Sequence, residues 1–113
     1  MTTSSTHGEF VGEIPKGVRV VLPDSLHLIT PYVLQEQEDW FEDEIKFVRS
    51  LLLRGQKCID IGANYGTYAL SMAQAVGKSG AVWAFEPASE TARFLQKSID
   101  LNDFTQVVLN RSA

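Results

Sequence analysis

The sequence predicts an α/β fold built from parallel strands that alternate with helices. Short apolar runs at 58–61, 81–85 and 105–109 are typical of buried strands. Helical periodicity follows the first run, from about 65 to 76, and follows the second at Ser89–Leu101. Right-handed crossovers place such strands side by side in the order 3-2-1, which is the amino-terminal half of a doubly wound sheet.

The first strand and the turn after it carry the strongest functional signal, in the stretch K-C-I-D-I-G-A-N-Y-G. Asp60 interrupts the apolar run, and an unpaired buried carboxylate would be costly. We therefore expect it at the carboxyl end of the strand, facing something that it can bind. Gly62 and Gly66, with Ala63 and Asn64 between them, let the backbone approach a ligand closely.

A second acidic residue ends the next predicted strand. Glu86 follows the run Ala81–Phe85 and lies 20 residues after Gly66. A carboxylate at this place in an α/β fold accepts hydrogen bonds from ribose hydroxyls. The structural alternatives are a solvated strand end for Glu86 and a helix-capping role for Asp60. Together the two positions predict a site for a nucleotide-like ligand.

Two common nucleotide motifs do not fit the turn. A dinucleotide fingerprint, G-x-G-x-x-G, would need glycine where Asn64 stands. A Walker loop would need lysine directly after Gly66. Neither a pyrophosphate turn nor a triphosphate loop is therefore predicted here.

The motif D-x-G-x-x-x-G that begins at Asp60 resembles the first motif of class I S-adenosylmethionine-dependent methyltransferases. The longer string D-I-G-A-N-Y-G-T-Y-A-L, followed by A-F-E-P at 84–87 and by Asn102, resembles the FkbM-type methyltransferase family. The resemblance extends from about Tyr32 to the end of the chain. It includes two motifs in the expected order and at the expected separation.

This resemblance implies that the cofactor is S-adenosylmethionine and that the reaction is O-methylation of a small-molecule or sugar-like acceptor. The backbone from Gly62 through Ala63 would approach the amino-acid end of the cofactor, and Asp60 would help to place that end. Asn64 would either hydrogen-bond the methionine part or cap the following helix. Glu86 would hold the ribose hydroxyls. No residue of the chain is identifiable as a catalytic base.

The fourth strand of such a sheet is missing from the sequence, so we expect the chain to be the amino-terminal portion of a larger enzyme that does not catalyse alone. The first strand would then be an exposed apolar edge. A non-catalytic α/β nucleotide-binding or interaction module is the main alternative. An NAD-dependent oxidoreductase half-domain is a weaker one, because the second glycine of its fingerprint is absent.

The sequence divides into three predicted segments. Residues 1–10 form a Thr/Ser-rich disordered tail, 11–34 a β-hairpin arm, and 35–113 the partial S-adenosylmethionine-binding domain. In the arm, the strand-like runs Val18–Leu22 and Leu26–Ile29 flank a turn-forming P-D-S sequence, which predicts that they pair. We interpret this hairpin as a packing arm rather than a substrate-recognition element.

A helix is predicted at Gln35–Arg54. Its first half is acidic and its second half basic, which suits the helix dipole. We interpret the acidic residues as a solvated face rather than a metal site. An acidic side chain of this helix is expected near the active site, although the sequence does not indicate which one.

Composition excludes several classes of function. The formal net charge of −4 and the lack of a basic patch argue against a nucleic-acid partner. The single cysteine excludes an internal disulfide, and it shows no metal-ligand spacing with the two histidines. No apolar run is long enough for a membrane helix, and no signal peptide is visible. We expect a soluble cytoplasmic protein whose partner is a small-molecule methyl acceptor.

Overall fold

The structure is a computed structural model that describes residues 5–6, 8–24 and 43–112. It contains one antiparallel and one parallel sheet, each of three strands. The antiparallel strands are β1 (Ser5–Thr6), β2 (Glu9–Ile14) and β3 (Val18–Pro23). The parallel strands are β4 (Lys57–Ile61), β5 (Ala81–Phe85) and β6 (Val107–Asn110). The helices are α1 (residues 43–51), α2 (Thr67–Val76) and α3 (Ser89–Leu101).

The parallel sheet has the order β4-β5-β6, which confirms the predicted order 3-2-1. Val82 of the central strand is aligned with Cys58 on one side and Val107 on the other. The third strand begins two residues later than predicted. Gln106 precedes it with its side-chain amide turned inward, donating to the carbonyl of Ala73 in α2 at 2.9 Å.

One face of this sheet packs against α2 and α3. Because side chains alternate across a strand, Cys58, Val82 and Val107 point to that face and are buried. Leu70 of α2 and Leu95 of α3 are fully buried in the same cluster. Helical residues that recur at three- and four-residue intervals supply this apolar surface, as their periodicity predicted.

The opposite face of the sheet is largely open. Ile59 and Ile61 of β4 are 65% and 80% exposed, and Val108 of β6 is 54% exposed. The expectation of a strand buried on both faces is therefore wrong for β4, where Cys58 is buried and the two isoleucines are not. The expectation of an exposed apolar first strand is confirmed.

The amino-terminal hairpin is present, with β2 and β3 as its described strands. The run Val18–Leu22 lies in β3, and its partner is β2, across a turn at Pro15–Gly17. The predicted partner Leu26–Ile29 lies outside the described residues. Four residues of the predicted disordered tail lie in strands, Ser5 and Thr6 in β1 and Glu9 and Phe10 in β2. Burial of the whole Phe10 side chain explains this, since it contributes about 2–3 kcal/mol.

The hairpin docks on α3 through backbone groups of β3. The Val21 amide donates to Ser98 Oγ at 2.8 Å. The Arg19 amide donates to Asn102 Oδ1 at 2.8 Å, and Asn102 Nδ2 donates to the Arg19 carbonyl at 2.6 Å. Val18 joins the main buried cluster. The hairpin is thus part of the core, in agreement with its interpretation as a packing arm.

Helix α1 ends earlier than Arg54. The Leu53 amide donates to the side-chain carbonyl of Gln56 at 2.8 Å instead of continuing the helix. Gly55 then adopts φ +87° and donates its amide to the Val76 carbonyl at the end of α2. The predicted first part of this helix, 35–42, lies outside the described residues. None of the described helices is both long and apolar enough to cross a membrane.

Candidate functional site

The candidate site lies at the carboxyl ends of β4 and β5, where the glycine turn leads into α2. The amides of Gly62 and Ala63 both donate to the Phe85 carbonyl, at 2.8 and 3.0 Å. The turn after one strand is therefore tied to the end of its neighbour. Left-handed backbone angles at Gly62 (φ +74°) and Asn64 (φ +55°) produce this path.

The two motif glycines meet different surroundings. A Cβ atom on Gly66 would lie 2.4 Å from Leu95 Cδ1, and the backbone there has φ +102°. Gly66 therefore permits close packing of α3 against the start of α2. A Cβ atom on Gly62 would have no neighbour within 4 Å in the part of the chain that the structure describes. The space beside Gly62 is open to a ligand, which is the kind of approach that the sequence predicted for this turn.

Glu86 is buried between the turn and the start of α3, with only 6% of its surface exposed. One carboxylate oxygen accepts the Asn64 amide at 2.9 Å, and the other accepts the Ala88 amide at 3.0 Å. The solvated-strand-end interpretation is therefore wrong. Each oxygen still has a second lone pair, so the same carboxylate can also accept a ligand hydroxyl. Ribose binding by Glu86 stays a prediction.

Asp60 is partly buried in β4, and its Oδ2 atom is buried without a hydrogen-bond partner among the described residues. Burial raises the pKa of Asp60, a backbone interaction with the Ala69 amide opposes that rise, and the negative charge of Glu86 adds to it. The contact with Ala69, in the first turn of α2, agrees with the helix-capping alternative. It leaves Oδ2 unpaired, and such an atom costs about 1–3 kcal/mol.

Asn64 does not cap α2. The residue at the N-cap position is Gly66, which makes no side-chain cap. The Asn64 side-chain amide instead donates to the Gly62 carbonyl at 3.2 Å, within the turn. Of the two roles left open by the sequence, helix capping is wrong and contact with the methionine part stays a prediction.

Glu44 and Tyr68 extend the site toward α1. The Tyr68 hydroxyl donates to the Glu44 carboxylate. This hydrogen bond, followed by burial and by the charges of Glu44 and Asp60, raises the pKa of Tyr68 to about 12. A cavity of about 450 Å³ lies beside the pair, lined by Asp43, Glu44, Phe47 and Val48.

One acidic residue of the first helix was expected near the site, but the sequence does not distinguish Glu44 from the acidic residues beside it. The hydrogen bond that places Glu44 there comes from Tyr68, 24 positions away, and no local sequence pattern indicates it. Tyr65, the other aromatic residue of this stretch, packs edge-to-face on Phe94 with ring centroids 6.2 Å apart.

The site is electrostatically negative. Within 5–6, 8–24 and 43–112, no ion pair involves Glu44, Asp60 or Glu86. The same ranges contain no group of three or more side chains able to hold a metal ion. Such a site suits a ligand that brings hydrogen-bond donors or positive charge.

No protein-family model matches the sequence, and no curated protein matches it significantly. Solved structures do match. P. horikoshii TYW2 in complex with MeSAdo has a TM-score of 0.67 and 16% identity, over 96% of this chain and 38% of that one. A SAM-dependent O-methyltransferase from Thermotoga maritima has a TM-score of 0.59 and 18% identity, over 99% and 48%. Coclaurine N-methyltransferase bound to N-methylheliamine and SAH has a TM-score of 0.57 and 17% identity, over 65% and 22%.

Each of these three structures is described as a methyltransferase or is a complex with a SAM-related ligand. The chain spans less than half the length of each. Identities below 20% support a common fold rather than a common activity. The parallel sheet, its strand order and these matches together show that the chain has the Rossmann-like fold of SAM-dependent methyltransferases.

Proposed function

We propose that the chain is the cofactor-binding part of an S-adenosylmethionine-dependent methyltransferase. The observation that carries the proposal is the unpartnered Oδ2 atom of Asp60 beside the open glycine turn. Proteins of the same fold have been crystallised with SAH and with MeSAdo. A ligand with an ammonium group and ribose hydroxyls would supply the donors that this negative site lacks.

Each residue of the site has a separate task in this proposal. Asp60 accepts a donor from the amino-acid end of the cofactor, and the ligand's charge offsets the cost of burying the carboxylate. Glu86 accepts the ribose hydroxyls while the amides of Asn64 and Ala88 hold it in place. Gly62 allows the cofactor to lie against the backbone, since none of the described residues has an atom within 4 Å of the position of a Cβ there.

Methyl transfer places few demands on acid–base groups of the protein. When bound, S-adenosylmethionine supplies a methyl group on a positively charged sulfur, which departs as a neutral thioether. The chain's contribution is to hold the cofactor in a fixed orientation for in-line attack. An acceptor hydroxyl also needs a base for its proton. None of the three carboxylates at this site is assigned that task.

We further propose that these residues belong to a longer FkbM-type enzyme that O-methylates a small-molecule or sugar-like acceptor in the cytoplasm. Ligands of open α/β sheets bind where the strand order reverses. The order β4-β5-β6 contains no reversal, so one wall of that crevice would come from outside the described sheet. On this proposal the 113 residues alone do not catalyse.

Calorimetric titration with S-adenosylhomocysteine tests the proposal on the product of the complete reading frame. We expect binding, and we expect Glu86→Gln to weaken it at least about tenfold by removing one acceptor oxygen. Glu90→Gln is the matched control, because Glu90 lies on the exposed face of α3 and pairs with Arg93. A parallel titration with NAD addresses the oxidoreductase alternative. Binding of NAD without binding of S-adenosylhomocysteine would refute the proposal.

A further inference from the structure

The amino-terminal hairpin reaches Phe94 of α3 through two neighbouring side chains. Lys97 Nζ pairs with Glu9 Oε2 of β2 at 2.5 Å and lies 5.8 Å from the centre of the Phe94 ring. That distance is within the roughly 6 Å at which a cation is attracted to an aromatic face. Ser98 Oγ accepts the Val21 amide of β3 at 2.8 Å and donates to the Phe94 carbonyl at 3.2 Å. The hairpin is therefore linked to both the ring and the backbone of Phe94.

Phe94 also contacts the glycine turn of the candidate site. Its ring lies edge-to-face against Tyr65, with the ring planes at 71° to each other. Only 3% of Phe94 is exposed, so the close-packed interior leaves its ring little room to move away from Tyr65. The next residue of α3, Leu95, lies so close to Gly66 that a Cβ atom there would be 2.4 Å from Leu95 Cδ1. Two successive residues of α3 thus support the last two residues of the turn.

The supported end of the turn adjoins the carboxylate that is predicted to bind ribose. Asn64 directly precedes Tyr65, has φ +55°, and donates its amide to Glu86 Oε1 at 2.9 Å. Left-handed backbone is costly for a residue other than glycine. Asn64 therefore keeps this geometry only while the residues around it hold it there. A shift of Tyr65 would move the amide that fixes Glu86.

We propose that the hairpin positions the cofactor-binding turn through Lys97 and Phe94. Docking of the hairpin fixes α3 against Tyr65, and the turn then presents Glu86 to the ribose hydroxyls. Lys97 and Phe94 are positioning residues, because they act on the ligand only through the turn. The proposal rests on the proposed function for the identity of the ligand, but the effect of the hairpin on the turn does not depend on a ligand.

A second cation lies over the same ring and provides a matched control. The guanidinium carbon of Arg93 is 4.7 Å from the centre of the Phe94 ring, and Arg93 pairs with Glu90 of the same helix at 2.7 Å. Glu9 and Glu90 therefore each pair with a cation over this ring, but only Glu9 belongs to the hairpin. Because a partly exposed ion pair contributes little by itself, the experiment reverses each charge rather than removing it.

Hydrogen exchange of the Asn64 amide tests the proposal, on the same protein as the calorimetric titration. Glu9→Lys places a positive charge beside Lys97 and separates the hairpin from it. We expect this variant to speed exchange of the Asn64 amide at least about fivefold. Glu90→Lys places a positive charge beside Arg93 and should leave the exchange rate of the Asn64 amide nearly unchanged. Equal effects of the two variants would contradict a role of the hairpin.

Two further measurements separate positioning from a general loss of stability. Val82, in the central strand of the parallel sheet, donates its amide to the Gln106 carbonyl, and its exchange rate should stay the same in both charge reversals. In a Tyr65→Leu background, Glu9→Lys should no longer change exchange at Asn64, because the contact that transmits the effect is absent. Faster exchange at Val82 and Asn64 together, or an equal effect of Glu9→Lys in both backgrounds, would overturn the proposal.

Titration with S-adenosylhomocysteine separates this proposal from the proposed function. If the ligand binds, Glu9→Lys should weaken its binding at least about fivefold, and Glu90→Lys should not. Binding that Glu9→Lys leaves unchanged would overturn the positioning role and support the proposed function. If the ligand does not bind the unaltered protein, the proposed function fails, and exchange at Asn64 still decides whether the hairpin positions the turn.

Discussion

The interface between the hairpin and α3 and the crevice at Asp60 both contain buried polar atoms. The buried atoms of the interface have hydrogen-bond partners, whereas one buried atom of the crevice has none among the described residues. At the interface, Ser98 Oγ accepts the Val21 amide and donates to the Phe94 carbonyl. Asn102 likewise uses both ends of its side-chain amide. In the crevice, Asp60 Oδ2 has no partner among the described residues. A satisfied network specifies packing, whereas the unsatisfied buried acceptor of Asp60 is the atom that the proposed ligand would pair.

The largest expected effect in this comparison comes from the backbone of the crevice. Gly66→Ala should lower the free energy of unfolding by about 3 kcal/mol, because it adds left-handed strain to a 2.4 Å contact with Leu95. Gly62→Ala should lower it by only about 1 kcal/mol, from strain alone. Urea denaturation of both variants measures the difference. Equal losses would show that Leu95 adjusts freely to the added methyl group.

The next effect should come from the hairpin interface. Asn102→Ala removes the side chain that holds both backbone groups of Arg19, and we expect a loss of about 2 kcal/mol in unfolding free energy. Gln96→Ala is the control, since the Gln96 side chain bonds to Asp100 on the same helix. Urea denaturation should separate the two variants. A loss no larger than that of the control would mean that apolar contacts alone hold the hairpin.

At Asp60 a substitution should raise the free energy of unfolding, whereas the substitutions above should lower it. The folded-state pKa is raised, chiefly by burial, so the stability linked to protonated Asp60 is lost as pH rises through that pKa. Asp60→Asn should therefore stabilise the fold at pH 7, by less than about 1 kcal/mol because the side chain is partly solvated. The gain should shrink as the solution is acidified. Denaturation series at pH 7 and at pH 4 test this, and a destabilised variant at pH 7 would contradict it.

The smallest effect is spectroscopic. The Tyr68 hydroxyl should ionise near pH 12, because its bond to Glu44 favours the neutral phenol. Glu44→Gln removes the negative charge and should bring the pKa back toward the ordinary value of 10.0. Ultraviolet titration of tyrosinate absorbance, with Tyr68→Phe to assign the signal, gives the result. An unchanged titration in Glu44→Gln would mean that burial alone raises the pKa.

Local patterns predicted much of the parallel sheet and little of how distant segments of the chain pack together. The bounds Ala81–Phe85 and Ser89–Leu101 agree with the structure because strand alternation, helical period and turn residues change together at these points. The pairing of β3 with β2 was not predicted, and its docking on α3 joins residues at least 77 positions apart. Period and turn chemistry contain no information about such distant contacts.

The site shows the same division. Asp60, the motif glycines and Glu86 come together as expected, because parallel strands end at one edge of a sheet. The hydrogen bonds that Glu86 accepts from the amides of Asn64 and Ala88 were not predictable from its position after a strand. These bonds depend on the exact path of the turn backbone, which one left-handed residue can redirect.

The hairpin is synthesised well before the residues of α3 that it contacts. Val21 and Arg19 reach their partners on α3 across 77 and 83 residues of chain. At ribosomal speeds of 5–20 residues per second, those partners are made roughly 4 to 17 s after the hairpin. During that interval Val18 and Val20, which share the buried cluster with Leu95, have no α3 to cover them. The nascent hairpin therefore exposes apolar side chains to water until α3 has been synthesised.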